Sequence, residues 1–210
     1  MSLAACLAAL ADQGLHREHY QVIVVVDGAG KPAPDVVAEL GERLQLTVVE
    51  QAPVGSAAAR NHGAMLARGN LLAFTDDDCR PDPMWLPQVQ VAAVQNPGCA
   101  RFWCRTATVY SHNSEVIGCH AIVQATEDSR ERKRRSRQRG LTEVPTCNLS
   151  IRRSVFERFG PFPEGISCSD TALHWRLVGA GREVRFTPSA RVTHLGVEGW
   201  RQLLRHERFH

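Results

Sequence analysis

The sequence predicts an α/β protein, in which helices flank a mostly parallel central sheet and a smaller mixed or antiparallel sheet follows in the C-terminal half. Strand and helix patterns alternate through the first half, and the strands include a continuous β-branched run, which is typical of a strand buried on both faces. The second half instead contains two longer strand patterns in succession. The 210 residues, 43% of them apolar, suffice for one domain with a substantial core.

The first half alternates helix and strand patterns in chain order. Leu3, Leu7 and Leu10 recur at helical spacing and predict a helix from Leu3 to Ala11. The alternation implies that the strands of this half share one parallel sheet. The elements expected next are a strand at Val22 to Val26, a helix capped by Asp35, a strand at Leu46 to Val49, a helix capped by Ser56 and ending near Gly69, a strand at Leu71 to Thr75, and a helix starting near Pro83.

The second half is expected to add antiparallel pairing. The patterns Arg101 to Tyr110 and Glu115 to Val123 predict two strands that pair as a hairpin. A charged run from Glu127 to Gly140 has no apolar periodicity and is expected to be a loop. The remaining expected elements are a strand at Thr146 to Ile151, a helix at Arg152 to Phe159, a helix near Asp170 to Val178 and an edge strand at Glu183 to Thr187.

The cysteine pattern and the length of the apolar runs indicate the cellular location of the protein. The seven cysteines are irregularly spaced without a C-x-x-C pair, which favours free thiols over a zinc site. No apolar run approaches the roughly 20 residues that span a bilayer, and the first residues lack the features of a signal peptide. We therefore expect a cytoplasmic protein, either free or peripheral at the inner face of a membrane.

The basic run from Arg130 to Arg139 allows three interpretations. It can be a solvated loop, an active-site flap that meets phosphates or an anionic acceptor, or a surface for nucleic acid or membrane. Because no aromatic residues are interleaved in the run, recognition of single-stranded nucleic acid is disfavoured. We expect no nucleic-acid partner.

Three consecutive aspartates, Asp76, Asp77 and Asp78, follow the strand that begins at Leu71. Ligands of open parallel sheets bind at the carboxyl ends of the strands. Adjacent carboxylates repel one another, and a divalent cation such as Mg²⁺ relieves that repulsion. The other interpretation is a solvated acidic turn or a helix cap.

Two further loops are expected at the same edge of the sheet. Asp27 ends one strand, and Gly55 leads from another strand into the helix that carries Arg60. If the loops of Asp27, Gly55 and Asp76 converge, the crevice combines carboxylates, a glycine-containing turn and an arginine. This combination suits a metal-bound diphosphate.

Three segments together resemble glycosyltransferase family 2: GSAAARNHGAMLARGNLLAFTDDDCRPDPMWL, TCNLSIRRSVFERFGPFPEG and SDTALHWRLVGAGREVRFTPSARVTH. The resemblance extends from Leu3 to His194. It implies a single domain of the GT-A (Rossmann-like) fold, with a nucleotide-binding half at 1–98 and an acceptor-binding half at 99–210. It also implies inverting transfer of a sugar from a UDP-, GDP- or dTDP-sugar to a hydroxyl acceptor such as a glycan, a lipid-linked sugar or a small molecule.

The resemblance also assigns roles on the donor side. Asp76 and Asp78 match the D-x-D motif and would bind Mg²⁺ or Mn²⁺ on the donor diphosphate. Asp27, in VDGA where the family usually has DDGS, would hydrogen-bond the nucleotide base; otherwise it is an ordinary turn acid. His194 resembles a further metal ligand of some GT-A enzymes, although a lone histidine after a strand is often structural or exposed.

On the acceptor side, the resemblance implies two further roles. Asp170 would be the general base that takes the proton of the acceptor hydroxyl; the other interpretation is a helix cap. Asn148 lies in the segment that lines the sugar and acceptor site. On the donor side, Gly55 and Arg60 are the remaining expected contacts.

The family normally has an apolar strand before the first helix, whereas this sequence starts at Met1 directly before that helix. We expect either that neighbouring strands close up or that a second copy covers the position, which gives a homo-oligomer. The alternative function is a truncated or degenerate non-catalytic binding or interaction domain. The missing strand favours it, as do Val26, Ser169 and Ala172, which stand where the family usually has acids. A nucleotidyltransferase is disfavoured by the lack of a glycine-rich signature with a lysine.

Overall fold

The computed structural model describes residues 3–28, 34–108, 146–166 and 168–194. Within these ranges the helices are α1 (Leu3–Ala11), α2 (Pro34–Gly41), α3 (Ser56–Leu66), α4 (Trp85–Gln95), α5 (Arg153–Phe159) and α6 (Ser169–Gly179). The strands are β1 (Val22–Asp27), β2 (Leu46–Gln51), β3 (Leu71–Phe74), β4 (Cys79–Pro81), β5 (Arg101–Thr108), β6 (Leu149–Arg152) and β7 (Val184–His194). Short 3₁₀ helices occupy Arg17–His19 and Thr146–Asn148.

The described strands form two sheets. β1 and β2 are parallel, in register from Val22 opposite Leu46 to Asp27 opposite Gln51. The second sheet has the order β3-β6-β5-β7-β4. In it β5 runs parallel to β7, whereas β6 is antiparallel to both β3 and β5, and β4 is antiparallel to β7. The α/β class, with parallel pairing and antiparallel additions, is confirmed.

The strand β3 differs from the sequence-based expectation. It does not join β1 and β2 but pairs antiparallel with β6, from Leu71 opposite Arg152 to Phe74 opposite Leu149. Apolar patterns report which faces of a strand are buried, and they do not identify the partner at each edge. Because β1 and β3 are not paired with each other, the expectation that neighbouring strands close up is wrong. A second copy at these edges stays a prediction.

Helix α1 connects the two sheets through the core. Its buried residues Cys6, Leu7 and Leu10 belong to one apolar cluster with Val22 of β1 and Val192 of β7. The helix thus packs against elements of both sheets. A second cluster joins α3, β3, β6 and the last two helices, with these buried residues: Ala57, Ala64, Leu72, Leu149, Ile151, Val155, Phe156, Leu173 and Leu177.

Several boundaries differ in detail from the expected ones. Thr146–Asn148 is a 3₁₀ helix that precedes β6, and the predicted edge strand at Glu183 to Thr187 is the start of the longer β7. The predicted strand at Glu115 to Val123 and the charged run from Glu127 to Gly140 lie outside the described residues, as does the last part of the pattern ending at Tyr110. Among the described residues, no helix has the length and apolarity needed to cross a membrane.

Candidate functional site

Asp27, at the end of β1, organises the loop that leads into α3. Its Oδ1 accepts hydrogen bonds from the Val54 N–H (2.9 Å) and from Nε2 of Gln51 (2.9 Å), and its Oδ2 accepts one from the Gly55 N–H (2.8 Å). Burial raises the pKa of Asp27, but the three hydrogen bonds together outweigh burial and lower that pKa below its usual value. The carboxylate therefore fixes the position of the Gly55 loop.

Gly55 is the N-cap of α3, a position that the sequence analysis gave to Ser56. Its φ of 101° lies in the positive region that favours glycine. The backbone conformation, and not a lack of room for a side chain, favours glycine here, because an added Cβ would meet no atom within 4 Å. Ser56 is consequently the first helical residue. The helix N-terminus, with its unpaired N–H groups, is a favourable place for an anionic group.

Arg60 and Asp76 form an ion pair beside this loop. Nη2 of Arg60 donates to Oδ1 of Asp76 at 2.8 Å, and both side chains are largely shielded, with 19% and 32% of their surfaces exposed. Because Arg60 and Gly55 are on the same helix, α3 connects the Asp27 loop to the acids after β3. The backbone carbonyl of Asp76 also accepts a hydrogen bond from the Cys6 thiol at 3.5 Å.

Asp78 and His194 meet where β4 and β7 pair. Cys79 is opposite His194 in the register, and Nε2 of His194 lies 3.2 Å from Oδ2 of Asp78. This hydrogen bond is the largest cause of the pKa shift of each group. It lowers the pKa of Asp78 and raises the pKa of His194. Two residues that the sequence analysis proposed as metal ligands, Asp78 and His194, therefore lie next to each other in the fold, and their role as ligands stays a prediction.

The residues at this position suit a divalent cation. The ligand atoms of Asp78, Cys79 and His194 lie within 4.8 Å of one another. Burial, together with the charges of Asp78 and Asp76, raises the pKa of Asp77, and a cation would relieve this repulsion. Oxygen and imidazole ligands fit Mg²⁺ or Mn²⁺.

Cys79 is a poor ligand for such hard cations. Its hydrogen bond with Cys147, followed by burial, raises the pKa of the Cys79 thiol and keeps the thiol protonated. Thiolate, the form that binds metals, is the ligand of softer ions. The described cysteines form no disulfide, as the sequence analysis expected.

Asp170 lies in the first turn of α6. Oδ1 of Asp170 accepts from the Thr171 N–H at 2.8 Å, and Oδ2 accepts from the Thr146 N–H at 3.2 Å. The N-cap of α6 is Cys168, in the left-handed conformation with φ of 57°. Asp170 is therefore not the N-cap, and its carboxylate instead ties α6 to the residues before β6.

Asn148 is buried within the scaffold. Its side chain is 0% exposed, its Oδ1 accepts from Nε1 of Trp85 at 2.7 Å, and its Nδ2 donates to the carbonyl of Ala190 at 3.4 Å. These contacts join α4, the 3₁₀ helix and β7. Direct contact between Asn148 and a donor sugar stays a prediction.

Asn61, next to Arg60, is a residue that the sequence analysis missed. Its Nδ2 donates to the carbonyl of Phe162 (2.9 Å) and to Oε1 of Glu164 (2.8 Å), while its Oδ1 accepts from the Phe162 N–H (2.9 Å). The buried Asn61 thus couples α3 to the segment that precedes α6. The sequence signal that could have identified Asn61 is a polar residue at a position of α3 that is expected to face the core.

The described contacts bring the predicted residues together in separate groups. Asp27 contacts the Gly55 loop, Arg60 pairs with Asp76, and Asp78 pairs with His194. The described hydrogen bonds do not join Asp170 directly to any of these. The first three groups lie along or beside α3 and the ends of β3 and β4.

Residues 2–160 match the family described as Glycosyl transferase family 2. Among curated relatives, glycosyltransferase AglE of Haloferax volcanii is 27% identical over 190 residues, which are 88% of this chain and 60% of that protein. The pre-mycofactocin glycosyltransferase of Mycobacterium tuberculosis is 28% identical over 83% of this chain and 37% of its own length. The chain thus spans about 60% or less of these relatives.

Solved structures with the same fold are more distant in sequence. The mannosyltransferase PcManGT from Pyrobaculum calidifontis, in complex with GDP-Man and Mn²⁺, has a TM-score of 0.71 and 20% identity, covering 98% of this chain and 56% of its own. S. aureus TarS 1-349 in complex with UDP-GlcNAc has a TM-score of 0.72 and 16% identity, with coverages of 96% and 57%. GalNAc-T7 with UDP, GalNAc and Mn²⁺ has a TM-score of 0.73 and 17% identity, with coverages of 95% and 42%. These similarities confirm a GT-A fold.

Proposed function

We propose that this chain, which belongs to glycosyl transferase family 2, transfers a sugar from a nucleoside diphosphate sugar to a hydroxyl acceptor, with inversion and with a divalent cation. The observation that carries the proposal is the grouping of Arg60 with Asp76 and of Asp78 with His194 around the ends of β3 and β4. Acids, an imidazole and a guanidinium at one edge of an α/β sheet suit a metal-bound diphosphate.

The donor would bind along the loop between β2 and α3. Asp27 holds the Gly55 loop in place, and the N-terminus of α3 offers N–H groups to a diphosphate. Arg60 supplies a charge-assisted donor beside them. The solved neighbours are in complexes with GDP-Man, UDP-GlcNAc or UDP, which supports a nucleotide sugar such as a UDP- or GDP-sugar as donor, and a dTDP-sugar stays a prediction.

Asp76, Asp78 and His194 would hold Mg²⁺ or Mn²⁺. Oδ1 of Asp76 is paired with Arg60, and because a carboxylate has about four acceptor sites, Asp76 could keep this pair and still bind a cation. A bound cation would stabilise the negative charge of the departing diphosphate. Arg60 would then be free to contact either Asp76 or a donor phosphate.

Asp170 would act as the general base. The acceptor oxygen attacks the anomeric carbon, the bond between that carbon and the diphosphate breaks, and Asp170 takes the hydroxyl proton. The nucleoside diphosphate leaves with the bonding electrons. A single displacement from the opposite face inverts the anomeric configuration.

Isothermal titration calorimetry of the purified chain with UDP and GDP, with and without Mn²⁺, tests the proposal before any acceptor is known. We expect at least one of the nucleotides to bind, and binding to weaken at least about tenfold when Mn²⁺ is omitted. Failure of both nucleotides to bind in the presence of Mn²⁺ would favour the alternative of a non-catalytic domain. The cytoplasmic or peripheral location and a homo-oligomeric state stay predictions.

A further inference from the structure

A chain of hydrogen bonds runs from α3 through the end of β2 to the carboxylate of Asp27. Nδ1 of His62, on α3, lies 2.9 Å from Oε1 of Gln51, and Nε2 of Gln51 donates to Oδ1 of Asp27 at 2.9 Å. The last link is the Gly55 N–H, which donates to Oδ2 of Asp27 at 2.8 Å. The chain therefore joins the middle of α3 to the N-cap of the same helix.

The Asp27 carboxylate fixes the direction of every hydrogen bond in this chain. Although burial raises the pKa of Asp27, that pKa lies below its usual value, so the carboxylate is ionised at neutral pH and can only accept hydrogen bonds. Gln51 must therefore turn its amide NH₂ toward Asp27 and its amide oxygen toward His62. Because an amide oxygen also only accepts, Nδ1 of His62 must carry a hydrogen.

The neutral ring of His62 is consequently expected in the tautomer that is protonated at Nδ1. A neutral imidazole carries one N–H, and the partner of a ring nitrogen decides which nitrogen carries it. Among the described residues, Gln51 is the one hydrogen-bond partner of the His62 ring. Gln51 thus sets the tautomer of His62, and His62 in turn holds the Gln51 amide in the orientation that serves Asp27.

The backbone already holds the ends of β1 and β2 together. Gln51 stands opposite Asp27 in the parallel register, and its carbonyl accepts a hydrogen bond from the Gly28 N–H at 3.0 Å. Gly28 lies close to Pro53, since an added Cβ would be 3.0 Å from the Cβ of Pro53. With the backbone fixed in this way, the Gln51 side chain is left to orient the carboxylate of Asp27.

We propose that Gln51 and His62 are positioning residues for the donor, because they orient the Asp27 carboxylate that fixes the turn before α3, where the donor diphosphate would bind. The inference rests on the proposed binding of the donor along this turn. Oδ1 of Asp27 accepts from the Val54 N–H and Oδ2 from the Gly55 N–H. A carboxylate that turned away would lose both hydrogen bonds and release the turn.

The tautomer of the His62 ring tests the chain without any need for turnover. Two-dimensional NMR that correlates the ring nitrogens with the carbon-bound ring protons, on the purified ¹⁵N-labelled chain at neutral to slightly alkaline pH, should show His62 protonated at Nδ1 and unprotonated at Nε2. The loss of these signals in His62→Asn assigns them. In Gln51→Leu, which removes the acceptor, the form protonated at Nε2 should gain population.

Two NMR results would overturn the proposal. A His62 ring protonated at Nε2 in the wild type would mean that the Gln51 amide points the opposite way. A ring whose tautomer does not change in Gln51→Leu would mean that Gln51 does not set it.

Side chains of one shape at position 62 test the effect on the donor turn. Asn and Leu are nearly isosteric, but Asn offers an N–H donor in place of Nδ1, whereas Leu offers none. In calorimetry with UDP or GDP and Mn²⁺, we expect His62→Asn to bind within about twofold of the wild type and His62→Leu to bind roughly three- to tenfold more weakly. Gln51→Leu, which removes the hydrogen bond to Asp27 itself, should weaken binding at least about tenfold.

The matched control is Met65→Leu, because Met65 lies on the same helix and is 76% exposed. This variant should bind the nucleotide as the wild type does. With a donor and an acceptor in hand, His62→Leu and Gln51→Leu should raise KM for the donor and leave kcat near the wild-type value, since a preformed turn contributes equally to the ground state and the transition state. A role in stability alone would lower the melting temperature and leave the affinity and KM unchanged.

The affinities separate this inference from the proposed function. Equal affinity in the wild type, His62→Leu and Gln51→Leu would overturn the positioning role, as would a loss in His62→Asn as large as that in His62→Leu. A wild type that binds no nucleotide with Mn²⁺ would contradict the donor site itself, and the tautomer of His62 would then decide alone whether the chain holds Asp27.

Discussion

The proposed donor side and the proposed acceptor side of the molecule hold their charges in different ways. At the ends of β3 and β4 the charges of Asp76 and Asp78 are paired at short distances with Arg60 and His194, and the side chains are partly exposed. At the start of α6 the described hydrogen bonds to the Asp170 carboxylate come instead from the backbone N–H groups of Thr146 and Thr171.

This difference matches the different tasks of the two regions. A donor site has to exchange partners, because a diphosphate and a cation must replace or join the contacts that the acids already make. A general base has to keep a charged oxygen available for a proton. Paired and accessible charges suit the first task, and a carboxylate that is held in place by backbone N–H groups suits the second.

The largest expected effect comes from Asp170→Asn. Removing the base should lower kcat by about 10² to 10⁴, while the affinity for UDP or GDP with Mn²⁺ stays as in the wild type. Steady-state kinetics and calorimetry on the same preparation measure both. Glu157→Gln, which changes an exposed acid of α5, is the control and should leave both values unchanged.

If Asp170→Asn turned over at the rate of the wild type, Asp170 would not be the general base of the acceptor side. If it lost nucleotide binding as well as turnover, Asp170 would belong to the donor side. Either result would contradict the proposed difference between the donor side and the acceptor side.

A smaller effect is expected from Asp78→Asn. The variant loses a charge that is paired with His194 at 3.2 Å, so Mn²⁺-dependent affinity for the nucleotide should fall at least about tenfold. Removal of Mn²⁺ with EDTA should have the same effect on the wild type and little further effect on the variant. Calorimetry checks both, with Asp12→Asn, an exposed acid directly after α1, as the control.

The third expected effect concerns the stability of the fold in acid. Since burial and the charge of Arg101 lower the pKa of His174 to about 4, the unfolded chain, with a histidine pKa near 6.5, takes up this proton first as the pH falls. Stability should therefore decline between about pH 6.5 and 4. The decline attributable to His174 is at most about 3 kcal/mol.

Urea unfolding at pH 7.5 and pH 4.5 measures this contribution. His174→Phe should show a smaller loss of unfolding free energy between the two pH values than the wild type. His16→Phe, at an exposed position, should behave like the wild type. An equal loss in His174→Phe and the wild type would contradict a buried neutral imidazole beside Arg101.

The sequence was sufficient for the local features, and it singled out two distant residues that the fold places side by side. The β-branched run at β1 and the helical spacing in α1 predicted those elements, because these patterns depend on neighbouring residues alone. The acids at Asp76 and Asp78 stood out as a cluster, and the family resemblance added His194, which the fold places beside Asp78.

Other features could not be predicted from the sequence because they depend on contacts between distant segments. The pairing of β3 with β6 depends on which strand edge is available and not on the pattern of LLAF. The burial of Asn148 against Trp85 and the absence of a described partner for Arg101 likewise arise only in the assembled fold. Arginine in a strand pattern suggests an exposed side chain, which is the opposite of what Arg101 adopts.

Proton NMR of the reaction product is the most direct test of the central claim that this chain is an inverting transferase. The wild type with Mn²⁺ is incubated with a panel of UDP- and GDP-sugars and a pool of hydroxyl acceptors, and the anomeric proton of the product is compared with that of the donor. We predict the opposite anomeric configuration, and product formation that is slower by about 10² to 10⁴ with Asp170→Asn. A product that retains the donor configuration would contradict the account.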